Sequence, residues 1–464
     1  MSKNCTNAKE FEAIADELLA RAKAAAAVAE DLNQEQVDRI VRNIGKAVYD
    51  RAEELAIDAV EETRMGFLET KIRLNEITPL FIWDYMKDKK SVGILEDDKL
   101  NHVVTLAKPM GIIACLTPST NTATPVHNAM IAIKGRNVVI ICPHPRAAGN
   151  AVKMVDVMRK EIAKLGYPAD MIQVAVPTSL ELTNAIMQRS HAILATGGEG
   201  MVKAAYSSGK PSFGVGQGNA QCILHTSYTD YEAVVKNIMF NRTQDNGVPC
   251  VGEQTLIMPR DKFNTIVEIF KSKGAYLVED PAQIDMIRKN YFVDGIANRD
   301  IVGQLPYDVA RLCGFEIPKD TKLMLVRMTE KYGREEPLCR EIMCPMTRLY
   351  VYDDFEDGVE IARANLLVEG AGHSSVIYAN DEKIVEYVAD RLPVGRVLVN
   401  MGNNAASGMG YGNGLAPTNS VGCGTWGGNS VSENITHKHL MNMTKVAYPI
   451  PNPATVNPVE IWGD

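Results

Sequence analysis

The sequence predicts an α/β protein built on two parallel-sheet domains, and three observations carry that expectation. From Lys108 onward, short apolar and β-branched runs (GIIACLTP, NVVIICP, MIQVAVP, HAILATGG) alternate with helical stretches, the pattern of right-handed βαβ units in a doubly wound sheet. A second alternation runs from about Asp230 to Gly424 through QTLIMP, KLMLVRM, RLYVYD, SVIYA and RVLVN. The 464 residues, 46% hydrophobic and 23% charged, fall within the globular norm and suffice for two large packed units, at roughly 150 residues or more each.

Taken in order, Phe11, Ile14, Ala15, Leu18, Leu19 and Ala22, then Val37, Ile40, Val41, Ile44 and Val48, recur at helical spacing, so the first hundred residues read as mostly helical. Residues 11 to 28 have two readings: packing on their own domain, or docking onto a partner such as a protein shell. Open parallel sheets bind ligands beyond the carboxyl ends of their strands, which directs attention to Thr117–Asn121, Pro143–Arg146 and Thr196–Gly200. The glycine- and asparagine-rich NMGNNAASGMGYGNG and GCGTWGGNSVSEN read as loops lining a site. The closing VAYPIPNPATVNPVEIW reads as a cover for a sheet edge or a neighbouring subunit. No repeat of solenoid length is present.

Lys and Arg number 49 against 57 Asp and Glu, a net charge of −8 without a long block of one sign. That balance argues against nucleic acid and anionic membranes as partners and leaves small molecules and further copies of the chain. No apolar run approaches the roughly 18 residues of a membrane span, and the start lacks a secretory pattern, so a cytoplasmic protein is expected. Nine cysteines, without a C-x-x-C pair, fit neither a disulfide framework nor a zinc ribbon. His437-Lys438-His439 reads as surface, and no metal is expected.

One cysteine stands apart. In Asp245-Asn246-Gly247-Val248-Pro249-Cys250-Val251-Gly252-Glu253-Gln254, Gly and Pro flank Cys250 where a backbone can turn sharply and present a thiol to a cleft. Taken alone, a cysteine of this kind is more often a small core side chain than a nucleophile. Its company decides. The loop Leu116-Thr117-Pro118-Ser119-Thr120-Asn121 resembles the one that offers an amide to an oxyanion in the aldehyde dehydrogenase superfamily. Glu341-Ile342-Met343-Cys344-Pro345 is similar to that superfamily's Glu-Ile-Phe-Gly-Pro, and Thr196-Gly197-Gly198 to its dinucleotide turn. CPHPRA, DNGVPCVGEQ, EGAGHSS and GCGTWGGNSVSEN extend the resemblance to the CoA-acylating branch. EQVDRIV, AVEETRMG and ATGGEGMVKAAYSSG are similar to members acting on succinate semialdehyde.

The resemblance implies an aldehyde dehydrogenase fold: a Rossmann-like dinucleotide-binding domain (1–225), a catalytic domain (226–425) and a C-terminal return (426–464), with residues 96–108 and the tail as an oligomerisation element. It implies a homodimer or a dimer of dimers, NAD or NADP as cofactor and coenzyme A as co-substrate. A microcompartment location is the alternative to free cytoplasm. Cys250 is then the nucleophile and Asn121 the oxyanion donor, with Thr196, Gly197, Gly198, Glu341 and His144 at the cofactor. Arg146 either contacts the adenosine end or is solvated. His373 either serves the substrate or is structural. The general-base glutamate of hydrolytic relatives corresponds to Gly214 here, so an acyl-enzyme thioester is expected to wait for a thiol rather than be hydrolysed. Glu253 is a base candidate by proximity in sequence alone. Arg242, just before the cysteine loop, is expected to aim its guanidinium at the far carboxylate of a four-carbon semialdehyde. Unsubstituted acetaldehyde or propionaldehyde, and an inactive scaffold, are the alternatives.

Overall fold

The computed structural model describes residues 2–329 and 331–463. Four helices come first: α1 (Ser2–Glu30), α2 (Gln34–Tyr49), α3 (Ala52–Thr63) and α4 (Leu68–Met86). Asn33 opens α2 with a capping box, its side chain accepting from the Gln36 N–H while the Gln36 side chain accepts from the Asn33 N–H, an arrangement that stabilises a helix start by about 1 kcal/mol. The apolar face of α2 (Val37, Ile40, Val41, Ile44, Val48) is fully buried, as its 3.6-residue period requires. Ala15, Leu18 and Ala22 of α1 lie in the same core. That face of the first helix is therefore spent on its own domain.

The first sheet holds β3 (Ile112–Thr117), β4 (Val138–Pro143), β5 (Ile172–Val174), β6 (Ala192–Thr196) and β7 (Ser212–Val215), all parallel in the order β5-β4-β3-β6-β7. Every residue of β3 and β4 is buried, because helices cover both faces: α5 (Thr124–Lys134), α6 (Ala148–Lys164), α7 (Leu180–Arg189) and α8 (Glu199–Ser207) follow the strands, and α1 and α2 pack with them. The chain winds outward through β4 and β5 and restarts on the other side of β3 with β6. The switch point, where a ligand crevice opens, thus lies at the carboxyl ends of β3 and β6.

The second sheet comprises β8 (Ala220–Leu224), β9 (Glu253–Pro259), β10 (Ala275–Val278), β13 (Leu323–Arg327), β14 (Met346–Tyr352), β15 (Ser375–Tyr378) and β16 (Val397–Val399). They are parallel, in the order β10-β13-β14-β9-β8-β15-β16. A small hairpin, β11 (Phe292–Val293) and β12 (Ile296–Ala297), lies outside it. Four residues, 216–219, join the carboxyl end of β7 to the amino end of β8. That short link brings the switch point of the first sheet against the amino ends of the second. The expected boundary at residue 225 is corrected by this pairing: β8 bonds to β9 and β15 in the second sheet, so the first domain ends before Ala220.

A separate antiparallel sheet, β1 (Gly93–Asp98), β2 (Val103–Pro109) and β17 (Met441–Ala447), joins the segment around 96–108 to the C-terminal return. Ile435 and Leu440 of that return belong to the first core, and the Asn137 side chain donates to the Leu440 carbonyl at 2.7 Å. His437, expected on the surface, is buried, because this segment turns inward before β17. No helix among the described residues is long and apolar enough to cross a membrane.

Candidate active site

A cavity of about 510 Å³ opens between the two sheets. Cys250, Asn121, Thr196, Gly197, Gly198, His144 and Glu341 all line it, with Asn404, Ser407, Met409 and Gly410 of the glycine-rich loop. Loops expected to meet from their positions after strands do meet.

The cysteine loop is held from several sides. Helix α9 (Tyr231–Thr243) leads into it, and Asp245, Asn246 and Gly247 then take left-handed conformations, with φ of 51°, 54° and 68°. Two non-glycine residues in that region cost strain, and each is fixed by its side chain. The Asp245 carboxylate accepts from Lys71 Nζ at 2.5 Å and from the Phe67 N–H at 3.1 Å. The Asn246 amide donates to the Gly303 carbonyl at 2.9 Å. A Cβ at Gly218 would sit 2.1 Å from the Cys250 carbonyl, so the interdomain link crosses the cysteine loop only as glycine.

Half-buried Cys250 is pushed up to about 12 by desolvation, then by the neighbouring Glu341 and Cys423. Burial at this position favours the neutral thiol. Glu341 is itself pushed up to about 8 by burial and by Glu369. Its carboxyl accepts from the Gly218 N–H at 2.9 Å. In Asn121 the side-chain oxygen accepts from the Ala123 N–H at 3.1 Å. Its amide nitrogen has no partner among the described residues, so the amide presents its donor end to the cavity. This is the arrangement an oxyanion needs.

At Gly214 a Cβ would lie 2.2 Å from the Tyr206 hydroxyl, and the Asn429 amide donates to the Gly214 carbonyl. A glutamate therefore has no room at Gly214, the position expected from the resemblance to correspond to the base of hydrolytic relatives. Glu253 is turned away from the cavity: it accepts from Asn241 at 2.9 Å and from the Asn403 N–H at 2.8 Å, and burial pushes it up to about 7.

Three expected contacts are corrected. Arg242 is fully buried, and its guanidinium donates to the carbonyls of Gly247, Ile342, Cys344 and Met346. It clamps the start of the cysteine loop to the segment after Glu341 and, fully buried, lies outside the cavity lining. His373 is buried and outside the cavity lining, its Nδ1 paired with Ser374 Oγ at 2.8 Å. Burial and the charge of Arg396 hold it neutral, down to about 3. Arg146 also lies outside the lining and donates to the Thr63 carbonyl at 2.7 Å. Its N–H donates to His144 Nδ1 at 3.1 Å, which leaves the ring proton of the neutral imidazole on Nε2.

For a dinucleotide the fit is good on the main chain. Thr196–Gly198 follows β6 at the switch point, and added methyl groups at Gly198 and Gly216 would meet no atom within 4 Å. The backbone is bare toward the groove, and the amino end of α8 follows it, where N–H groups favour phosphate. Sequence reasoning missed helix α4, whose Thr70, Arg73, Leu74, Ile77 and Phe81 form a second wall. Their i, i+3, i+4 and i+7 spacing was the available signal.

The aldehyde dehydrogenase family model matches residues 3–287. This chain belongs to the aldehyde dehydrogenase family. The match covers the dinucleotide-side sheet and the cysteine loop of this aldehyde dehydrogenase. It is 41% identical to the succinate-semialdehyde dehydrogenase (acetylating) of Clostridium kluyveri, over 96% of this chain and 98% of that protein. It is 37% identical to the bifunctional aldehyde-alcohol dehydrogenase of Escherichia coli, over 95% of this chain but 50% of that longer protein. The crystal structure of an acetylating aldehyde dehydrogenase from Geobacillus thermoglucosidasius superimposes with a TM-score of 0.91 at 35% identity, covering 97% of this chain and 99% of that one.

Proposed function

We propose that this aldehyde dehydrogenase is CoA-acylating and interconverts succinate semialdehyde, CoA and NAD(P)+ with succinyl-CoA and NAD(P)H. The observation that carries the acylating reading is the closed position at Gly214 beside an available cysteine and a free amide. The choice of succinate semialdehyde draws on the likeness to the Clostridium kluyveri enzyme.

The chemistry follows from the residues. The Cys250 S–H bond breaks with its proton passing to solvent water, and the sulfur bonds the aldehyde carbon; the Asn121 amide and the Cys250 N–H hold the oxyanion of the thiohemiacetal. Thr196–Gly198, His144 and Glu341, which line the cavity, would hold a dinucleotide, and that group would supply the hydride acceptor. Cys250 then carries the acyl group as a thioester. With no carboxylate at 214 to activate water, that thioester persists until the CoA thiol displaces the cysteine sulfur, which takes back a proton. Thioester energy is conserved throughout, so the reaction runs in both directions.

A second reading has its own observation. Leu74, Ile77, Phe81 and Phe240 make much of the wall apolar, which suits an unsubstituted short aldehyde. A panel of succinyl-, acetyl-, propionyl- and butyryl-CoA, each with NADH and NADPH, separates the two. Preference for succinyl-CoA supports the first reading, and preference for acetyl- or propionyl-CoA replaces it with the second. Oxidation of aldehydes at a rate indifferent to CoA would overturn the acylating assignment. The same reading includes a homo-oligomer: beyond β17 the tail leaves Val456 at 71% and Trp462 at 78% exposure, apolar surface that a second copy would cover, and light scattering on the purified protein reads the assembly directly.

A further inference from the structure

With Arg242 committed to main-chain carbonyls, recognition of a dicarboxylic substrate needs another cation. We infer that Arg73 is the residue that binds the distal carboxylate of the substrate, an inference that rests on the succinate reading above and deepens it.

Arg73 lies on α4, on the stripe with Thr70, Leu74, Ile77 and Phe81 that walls the cavity holding Cys250. Its neighbour Lys71 turns the other way and is consumed by Asp245 at 2.5 Å, with both side chains buried. Arg73 is exposed to the cavity mouth and makes no hydrogen bond or ion pair among the described residues. Asp245 is paired with Lys71, and burial and Glu369 push the Glu341 carboxyl up to about 8, which weakens its negative charge near neutral pH. Arg73 is the one guanidinium among the described residues lining this cavity. Its planar fork suits a carboxylate bidentately. Leu74 and Ile77 flank it with apolar surface for the two methylenes between that carboxylate and the carbonyl presented to Cys250.

Succinyl-CoA and butyryl-CoA share a chain length and differ by carboxylate against methyl, so their kcat/KM ratio isolates the contact. The wild-type enzyme is expected to favour succinyl-CoA. Arg73→Ala is expected to lower that ratio about 100-fold, mainly through KM, as loss of a charge-assisted bidentate pair does. Butyryl-CoA turnover should move by no more than about threefold. Arg73→Lys should retain part of the preference, since one ammonium replaces a fork. The thermal midpoint of Arg73→Ala should stay close to wild type, because no hydrogen bond or ion pair among the described residues is removed. A wild-type preference for succinyl-CoA that survives Arg73→Ala, or equal losses on both substrates, overturns the role of Arg73 and leaves the succinate reading standing. A wild-type enzyme that favours butyryl-CoA overturns the succinate reading, and the assignment of Arg73 with it.

Discussion

Helices α9 and α4 each bring an arginine toward the cysteine loop, and the two are used in opposite ways. Arg242 is fully buried with its donors on four carbonyls, tying Gly247 to the segment 342–346. Arg73 stands exposed and unpaired among the described residues, on a wall of the same cavity that Cys250 lines. The contrast separates two kinds of work. A cation that fixes architecture is desolvated once, during folding, and must have its hydrogen bonds made in advance. A cation that recognises substrate keeps its water until the ligand arrives. Nearness to the nucleophile along the chain marks the first kind here, not the second.

The rigid side of this contrast can be broken hardest at the sulfur. Cys250→Ala should abolish acyl-CoA reduction, a loss of at least about 10⁴-fold, while CoA still binds in calorimetry; residual turnover near wild type would place the nucleophile elsewhere. Arg242→Ala comes next. It leaves four buried carbonyls without their donor, so a loss of about 4 kcal/mol or more is expected, read as a lowered unfolding midpoint together with equal loss of activity on succinyl- and butyryl-CoA. A selective loss on succinyl-CoA would return Arg242 to the substrate. Asn121→Ala should cost about 10²- to 10³-fold in kcat with little change in KM, the mark of a donor that works on the transition state.

The smallest effect is a pH effect. Burial lifts Glu253 to about 7 against the opposing hydrogen bonds from Asn403 and Asn241. Folded protein therefore holds a proton that the unfolded chain has already released above its ordinary value of 4.5. The native state binds more protons than the unfolded one between about 4.5 and 7, so this group makes stability fall as pH rises through that window. Glu253→Gln has no such dependence. Its thermal midpoint relative to wild type should climb from pH 5 to pH 8, and a constant difference would show that Glu253 is ionised in the native protein.

Much of the site was legible because parallel sheets put their functional loops after strands. Asn121 and Thr196–Gly198 follow β3 and β6, whose apolar runs are plain in the sequence, and their meeting follows from the strand order. Cys250 was legible only in company: the turn-forming residues around it permit a presented thiol, and the motifs shared with the aldehyde dehydrogenase superfamily single it out from the other cysteines. What stayed hidden depended on which way a side chain faces. Periodicity treats an arginine at the end of α9 alike whether it enters solvent or the core, and only tertiary packing supplies the carbonyls that absorb Arg242. In α4, Thr70, Leu74, Ile77 and Phe81 read as an ordinary core stripe, so its role as a wall was lost, and Arg73 with it. The boundary near 225 slipped because AQCIL is apolar enough for either sheet, and a run of five residues carries no label for its partners.

The protonated resting state of Cys250 has a consequence outside the catalytic cycle. Alkylating agents and peroxides attack thiolates far faster than thiols, and a sulfur lifted to about 12 by its surroundings offers them almost none. The burial that disfavours the Cys250 thiolate should therefore also slow its reaction with such agents, and alkylation of the ligand-free protein by iodoacetamide measures that directly.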